Sequence, residues 1–231
     1  MSDVIHFSRR DALRTGAAAA AAGLMGAGSL PALAAPGGKK VAVITGSPHR
    51  RGTSFLLADE FIRGVREQGA EVFRFDSAFR RVTACSGCDR CGLGASPCVY
   101  RDDMFELNPH LLESDLVVFC TPLYYFGFSA QLKLVIDRFY AINTQFHHGR
   151  RAVLLATAWN TQDWTFDALV SHYKTLCRYM DWEDVGMVLG YGCGTRSSIE
   201  ASDYPKEAYE LGQKVRISGS SEISGQPLLK K

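Results

Sequence analysis

The chain has 231 residues, of which 46% are hydrophobic and 22% charged, and its formal net charge at pH 7 is +2. This composition excludes a disordered or collagen-like chain and predicts a single well-filled core. The nearly balanced charge gives no indication of a nucleic-acid partner or of a strongly charged substrate.

Residues 1–34 have the pattern of a cleavable export signal. A twin arginine, Arg9-Arg10, precedes a weakly apolar Ala/Gly run over residues 16–30, and Ala32-Leu33-Ala34 offers a small-x-small cleavage site. The alternative is a membrane anchor or a core helix, but the run is shorter than the roughly 20 residues that a span needs. We therefore expect export by the twin-arginine route to a periplasmic or other extracytoplasmic location.

Behind the leader, short apolar runs typical of buried strands alternate with segments of helical periodicity. In chain order the pattern predicts a strand at 40–45, a helix at 53–68, a strand at 71–76, a helix at 101–113, a strand at 115–120, a helix at 129–142, a strand at 151–157, a helix at 166–180, a strand at 182–190 and a helix at 205–215. The second helix is expected to begin at Asp102-Asp103, whose charges suit a helix N-terminus. Residues 39–217 are predicted to form one domain, followed by an unstructured tail over residues 218–231.

Five strands separated by helices predict a parallel sheet with helices on both faces, because parallel neighbours need a crossover connection. The simplest arrangement is a flavodoxin-like three-layer α/β sandwich with strand order 2-1-3-4-5. Such a sheet binds its ligand outside the carboxyl ends of its strands, at the switch point. The loops after the first, third and fourth strands are therefore the candidate site.

The loop after the first strand has the features of a phosphate cradle. It combines glycines, hydroxyl side chains and a helix N-terminus, and its candidate ligands are Ser47, His49, Arg51, Gly52, Thr53 and Ser54. The Gly-Lys-Thr/Ser ending of nucleoside-triphosphate loops is absent, which favours a monophosphate such as that of FMN. The alternative is an ordinary turn in which Thr53 caps the helix.

The loops after the third and fourth strands supply flat apolar surface. The candidates for a flavin wall are Pro122, Leu123, Tyr124, Tyr125, Phe126 and Gly127. Trp159 and Asn160 are weaker candidates in the next loop. The alternatives are aromatic residues that merely cover the end of the sheet and an ordinary surface loop. No Ser-His-Asp or paired-carboxylate arrangement stands out, so any redox chemistry is expected to belong to the flavin.

Four cysteines within fourteen residues form the most specific motif, Cys85-x2-Cys88-x2-Cys91-x6-Cys98. Four converging thiolates suit a [4Fe-4S] cluster, and the intervening glycines allow the tight turns that compact spacing requires. Structural zinc and free or disulfide-bonded cysteines remain alternatives. The other cysteines, Cys120, Cys177 and Cys193, are expected to be small buried residues.

Taken together, residues 46–54, the Cys85-Ser-Gly-Cys88 motif, Asp102-Asp103-Met104 and residues 121–138 resemble the flavodoxin-like NAD(P)H-dependent FMN reductases and their iron–sulfur flavoprotein branch. The resemblance spans residues 41–138. It implies that Ser47, Arg51, Thr53 and Ser54 hold the FMN phosphate and that residues 122–126 border the isoalloxazine ring. It also implies a homodimer or homotetramer, because relatives commonly complete the flavin site between subunits.

The sequence thus predicts an exported FMN-dependent oxidoreductase or electron-transfer flavoprotein in which a [4Fe-4S] cluster exchanges electrons with FMN. Its partner would be a redox protein or a small-molecule acceptor, and NAD(P)H is a possible donor. One alternative is a cluster-free NAD(P)H-dependent FMN or quinone reductase. The other is a non-enzymatic binding protein whose cysteine loop is held by zinc or disulfides.

Overall fold

The structure is a computed structural model, and it describes residues 39–215. The leader predicted over residues 1–34 and the tail predicted over residues 218–231 lie outside the described residues. None of the helices within residues 39–215 has the length and apolar character needed to cross a membrane.

A five-stranded parallel sheet forms the centre of the domain. Its strands are β1 (Lys40–Thr45), β2 (Glu71–Asp76), β3 (Leu116–Pro122), β4 (Arg151–Thr157) and β5 (Glu183–Gly190). The spatial order is β2-β1-β3-β4-β5, and all four strand pairings are parallel. The predicted flavodoxin-like order is therefore confirmed.

Seven α-helices are described around this sheet. They are α1 (Thr53–Glu67), α2 (Met104–Glu113), α3 (Ala130–Arg138), α4 (Asn143–Phe146), α5 (Asp167–Met180), α6 (Arg196–Glu200) and α7 (Tyr204–Lys214). Short 3-10 turns occupy Ser77–Phe79, Gly92–Gly94, Phe139–Ile142 and Asp163–Phe166.

Each face of the sheet has its own apolar core, which explains the continuous apolar runs of the central strands. On one face, α1 and α7 pack through residues such as Phe61 and Ala208 against Val43 and Val118. On the other, α2, α3 and α5 pack around Phe119 and its neighbours. A strand that is buried on both sides has no polar face, so its sequence does not alternate.

The helices differ from the prediction mainly in three places. The second helix begins at Met104, with Asp103 at its N-cap position. The Asp103 carboxylate accepts a hydrogen bond from the Arg81 backbone N–H at 2.8 Å, whereas the Asp102 carboxylate accepts the Met104 backbone N–H at 3.3 Å. The third helix changes to a 3-10 turn after Arg138. Helix α6, which has only five residues, is too short to give a clear helical periodicity and was not predicted.

The carboxyl ends of β1 and β3 are fixed to each other by Ser129. Its hydroxyl donates to the Gly46 carbonyl at 2.9 Å and accepts from the Leu132 backbone N–H, so it also caps α3. A Cβ atom at Gly46 would overlap this hydroxyl. The close packing sets the position of the loop that follows β1.

Candidate functional site

A pocket of about 800 Å³ opens at the carboxyl ends of β1, β3 and β4. We call it the loop pocket. Its walls come from four loops and comprise Ser47, Pro48, His49, Arg50, Arg51, Gly52, Thr53, Ser54, Pro122, Leu123, Tyr124, Thr157, Ala158, Trp159, Cys193, Gly194 and Arg196. The size and position suit a cofactor site at the switch point of an α/β sheet.

One end of the loop pocket is the N-terminus of α1. No side chain caps this helix, and its N-cap residue is Gly52. The Gly52 backbone N–H donates to the His49 carbonyl at 2.8 Å, and a Cβ atom at residue 52 would lie only 2.8 Å from the same oxygen. The tight turn therefore requires glycine, and the uncapped helix end is available to an anion.

Two of the predicted phosphate ligands are joined to a residue that the sequence did not single out. The Thr157 hydroxyl, at the end of β4, lies 2.9 Å from the Thr53 hydroxyl and 3.2 Å from that of Ser54. Ser54 and Thr157 are both buried. Thr157 thus ties the start of α1 to the end of β4. The predicted alternative role of Thr53 as the helix cap is wrong, because the N-cap residue is Gly52 and no side chain caps the helix.

The aromatic loop after β3 is divided between the pocket and the surface. Pro122, Leu123 and Tyr124 line the pocket, whereas the Tyr125 side chain is fully exposed. Tyr124 and Gly127 exchange backbone hydrogen bonds of 3.3 and 3.2 Å across the turn, which places Tyr125 and Phe126 at φ values of 45° and 64°. Non-glycine residues rarely adopt this conformation, and they do so mainly where function or packing imposes it.

Phe126 does not line the loop pocket but packs on Trp164 of the following loop, with ring centroids 5.3 Å apart. Trp164 is half exposed, so the two rings form an aromatic rim beside the pocket. Sequence reasoning missed Trp164 because it lies forty residues from the aromatic loop.

The loop after β4 contributes Trp159 to the wall of the loop pocket, but not the Asn160 side chain. Trp159 lines the pocket, and its indole lies against Gly194. The Asn160 carboxamide oxygen instead accepts backbone hydrogen bonds from Thr161 and Gln162 at 2.8 and 3.2 Å, so it closes a local turn.

The charged side chains that line the loop pocket are all basic. They are Arg50, Arg51 and Arg196, with His49 beside them. No carboxylate in the described part of the chain lines the pocket. Arg50 lies 3.5 Å from Asp76, and Arg196 donates to Glu200 at 2.6 Å. Arg196 sits beyond β5 in the unpredicted α6, which explains why the sequence did not indicate it. The pocket therefore favours an anionic ligand.

The four clustered cysteines line a second, separate cavity. Cys85, Cys88, Cys91 and Cys98 share its wall with Ser86, Asp89, Tyr100, Asp137, Arg138, Tyr140 and Ala141. We call it the cysteine cavity. The loop that carries the cysteines turns through positive φ values at Gly87, Asp89, Gly92, Leu93 and Gly94. These turns bring together thiols that are up to thirteen residues apart, as the compact motif predicted.

The thiols are near each other, although no group of three metal-ligating side chains within residues 39–215 is already positioned around one metal ion. Burial raises the pKa of the Cys91 thiol, and its neighbours Cys98, Cys85 and Cys88 raise it further. The Arg90 backbone N–H lowers the pKa of the Cys88 thiol. All four cysteines carry free thiols, as do Cys120, Cys177 and Cys193, which are buried as predicted.

A buried ion pair lies beneath the cysteine loop. Arg138 donates to Asp102 at 2.7 Å, and both side chains are 2% exposed. Burial opposes the charge of each group, but their mutual hydrogen bonds hold the pKa of Asp102 below and that of Arg138 above their ordinary values. Arg138 also borders the cysteine cavity, where its Nε–H is buried without a hydrogen-bond partner in the described part of the chain. The cavity therefore offers four thiols and one free donor to a group with sulfur acceptors. The two carboxylates in its wall each have a partner of their own, since Asp89 accepts from the Tyr140 hydroxyl and Asp137 from the Lys133 ammonium.

Comparison with known proteins identifies relatives for nearly the whole described domain. The family model described as NADPH-dependent FMN reductase matches residues 39–204. An iron–sulfur flavoprotein of Archaeoglobus fulgidus is 36% identical over 193 residues, covering 81% of this chain and 84% of that protein. Another of Methanocaldococcus jannaschii is 34% identical over 120 residues, covering 51% of this chain and 60% of that protein.

A solved structure supports the fold. The NAD(P)H:quinone oxidoreductase from Methanothermobacter marburgensis superposes with a TM-score of 0.64 over 76% of this chain and 95% of that chain. The sequence identity is 20%, so this likeness concerns the flavodoxin-like architecture alone.

Proposed function

This chain belongs to the NADPH-dependent FMN reductase family and is an FMN-dependent oxidoreductase, and from that premise we propose that it is an exported iron–sulfur flavoprotein. The loop pocket would hold FMN, and the cysteine cavity would hold a [4Fe-4S] cluster. The observation that carries this proposal is the convergence of four motif cysteines on one cavity whose wall presents a buried, unpaired Arg138 donor.

FMN, when bound, supplies redox chemistry in one- or two-electron steps. The residues of the loop pocket divide the binding between them. The backbone of residues 50–54, at the uncapped start of α1, would bind the phosphate, assisted by the charges of Arg51 and Arg196. Ser47 supports the turn, since its hydroxyl oxygen accepts the His49 backbone N–H at 3.2 Å. Thr157 would keep Thr53 and Ser54 oriented toward the ligand.

The apolar side of the pocket would orient the flat ring. Pro122, Leu123 and Tyr124 form one wall, and Trp159, supported by Gly194, forms another. Aromatic walls exclude water and bind a ring by stacking. The turn after β3 would be shaped by the backbone conformation of Tyr125, Phe126 and Gly127. Asn160 would shape the loop after β4 through the backbone hydrogen bonds that its carboxamide oxygen accepts.

An iron–sulfur cluster, when bound, supplies one-electron redox capacity. Cys85, Cys88, Cys91 and Cys98 would be its ligands. The left-handed residues of the loop allow the backbone to turn between successive cysteines, and Arg138 and Asp102 would anchor the loop to α3. Cys85 and Cys88 are exposed residues, so this side of the cysteine loop faces solvent.

We further propose that residues 1–34 direct export by the twin-arginine route to the periplasm or another extracytoplasmic location. A redox protein or a small-molecule acceptor would take the electrons, with NAD(P)H as a possible donor. A homodimer or homotetramer would complete the flavin site. These proposals rest on the sequence patterns, and fractionation of cells producing wild-type and Arg9→Lys, Arg10→Lys chains tests the first.

The cofactor content of anaerobically purified protein tests the central proposal. We expect close to one FMN and four iron and four acid-labile sulfide per chain. A Cys88→Ser variant should lose iron and sulfide but keep FMN, because the two cavities share no lining residue. The matched control is Cys177→Ala, which alters a buried cysteine outside both cavities and should keep both cofactors.

Two other results would overturn parts of the proposal. FMN without iron or sulfide, even after anaerobic reconstitution, would leave the cluster-free NAD(P)H-dependent FMN or quinone reductase. Zinc at one per chain would make the cysteine site structural. Family membership does not support the third interpretation, a cofactor-free binding protein.

A further inference from the structure

The guanidinium of Arg138 is hydrogen-bonded to Asp102 and Thr83. It also lies 5.4 Å from the centre of the Tyr100 ring and is close enough to the Cys98 thiol for that thiol to raise the pKa of Arg138. Its Nη1 donates to the Asp102 carboxylate at 2.7 Å and to the Thr83 carbonyl at 2.8 Å, and its Nη2 donates to Asp102 at 3.3 Å. Its Nε–H is buried and has no partner within residues 39–215. A buried charged donor left unpaired is costly, so this donor gains from any hydrogen-bond acceptor placed beside it.

The direction of the free donor follows from what surrounds it. Arg138 borders the cavity formed by the four motif cysteines and a neighbouring pocket; Cys98 lines both of them with Arg138, whereas Asp102 lines neither. Asp102 lies behind the guanidinium, where it also accepts the backbone N–H groups of Thr83 at 2.8 Å and Met104 at 3.3 Å. The ion pair therefore presents its positive end to the sulfur atoms.

The same pair holds both ends of the cysteine loop. Thr83 precedes the first cysteine by two residues, and Asp102 follows the last by four. Both are hydrogen-bonded to Arg138, which stands at the end of α3. Both ends of the cysteine loop are thus fixed to a buried arginine whose charge is paired with Asp102.

We propose that Arg138 tunes the group bound by the four cysteines: its Nε–H donates to a sulfur atom there, and its charge stabilises the more negative redox state. The inference rests on the proposed iron–sulfur function. Hydrogen bonds and charge around a cluster set its reduction potential and its retention. A purely structural role, in which the ion pair only closes the loop, is the competing interpretation.

The test compares Arg138→Gln, Arg138→Lys and Asp102→Asn in the reconstituted full chain. We expect Arg138→Gln to shift the cluster midpoint potential to more negative values and Asp102→Asn to shift it to more positive values. Arg138→Lys keeps the charge and loses the Nε donor, so its shift should be smaller than that of Arg138→Gln. Potentials are read by anaerobic dye titration followed by visible absorbance and electron paramagnetic resonance.

Iron release to a chelator is the second measurement. We expect Arg138→Gln to lose iron about 10- to 100-fold faster than the wild type, the usual effect of removing a group that supports metal ligands. The matched control is Arg150→Lys. Arg150 is also an arginine with an unpaired, buried Nε and bonds to main-chain carbonyls, but it lies outside the cysteine cavity. The Arg150→Lys variant should change neither the midpoint potential of the cluster nor the rate of iron release.

The outcomes separate the two hypotheses. Equal potentials in the wild type, Arg138→Gln and Asp102→Asn, with full iron content, would overturn the tuning role while leaving the proposed function intact. Faster iron loss in both variants with unchanged potentials would establish the structural role instead. A wild-type chain that takes up no iron or sulfide would overturn both proposals. If Arg138→Gln does not fold, the opposite shifts predicted for Arg138→Lys and Asp102→Asn decide the question.

Discussion

The indole ring of Trp159 lies so close to the α-carbon of Gly194 that a Cβ atom at residue 194 would overlap the ring. Trp159 is otherwise 74% exposed, so this contact is what holds it at the pocket. Glycine is thus required at residue 194 for the tryptophan to line the loop pocket. The contact joins the loop after β4 to the loop after β5.

Gly194→Ala should therefore weaken flavin binding by displacing Trp159. Loss of one aromatic contact is worth about 0.5–1.5 kcal/mol, so we expect the FMN dissociation constant to rise roughly 2- to 12-fold. The dissociation constant is measured by titrating the apoprotein with FMN while flavin fluorescence is monitored. If the effect acts through the indole, Gly194→Ala should add nothing to Trp159→Ala in a double-mutant cycle. Full additivity would contradict this explanation.

Two buried threonines should respond oppositely to replacement by valine. Thr157→Val removes the hydroxyl that bonds Thr53 and Ser54, and it leaves the buried Ser54 hydroxyl without that partner. We expect a loss of about 1–3 kcal/mol in the free energy of unfolding. Thr165→Val removes a buried hydroxyl that has no partner in the described part of the chain, so stability should be unchanged or increased. Urea unfolding of both variants checks the signs, and equal losses would contradict the prediction.

The contact between α1 and α7 depends on two glycines. A Cβ atom at Gly64 would overlap the Tyr209 carbonyl oxygen. A Cβ atom at Gly212 would lie 2.5 Å from the Phe61 carbonyl oxygen. Alanine gains about 1 kcal/mol in helix propensity, but overpacking against rigid backbone typically costs about 1–3 kcal/mol. We expect Gly64→Ala to destabilise the domain by up to about 2 kcal/mol in thermal or urea unfolding.

The control for this prediction is Gly127→Ala. An added Cβ there meets no atom within 4 Å, and the backbone does not have positive φ. Its free energy of unfolding should stay within about 0.5 kcal/mol of the wild type. A stabilised Gly64→Ala variant would show that the helices can separate at no cost.

Cys120 should resist alkylation while the domain is folded. Burial raises the pKa of its thiol to about 12, and that of Cys177 to about 11. The thiolate forms only as the pH rises through the pKa, so at pH 8 about one Cys120 thiol in ten thousand is ionised. We expect mass spectrometry after iodoacetamide treatment to find both residues unmodified in the native protein and modified in guanidinium. Modification of native Cys120 at the rate of a free thiol would contradict this.

The sequence was sufficient to predict the sheet and most of the loop pocket. Apolar runs such as residues 40–45 and 151–157 require burial on both faces, which a parallel sheet between helix layers provides. Parallel strands bring their following loops to one edge, so Ser47, Gly52 and Tyr124 were predicted to meet before any contact was known, and all three line the loop pocket. The cysteine motif likewise predicted convergence, since its spacing is local.

Tertiary structure alone decided the contacts between residues that are distant along the chain. Thr157 bonds Thr53 across 104 residues, and Arg138 bonds Asp102 across 36. At the start of α2 the same Asp102 carboxylate also accepts the Met104 backbone N–H at 3.3 Å, so one side chain serves both the buried ion pair and the helix end. Local periodicity indicates which residues are buried and whether they lie in a helix or in a strand. The partner of a polar side chain depends on how the elements pack, and no local pattern encodes that.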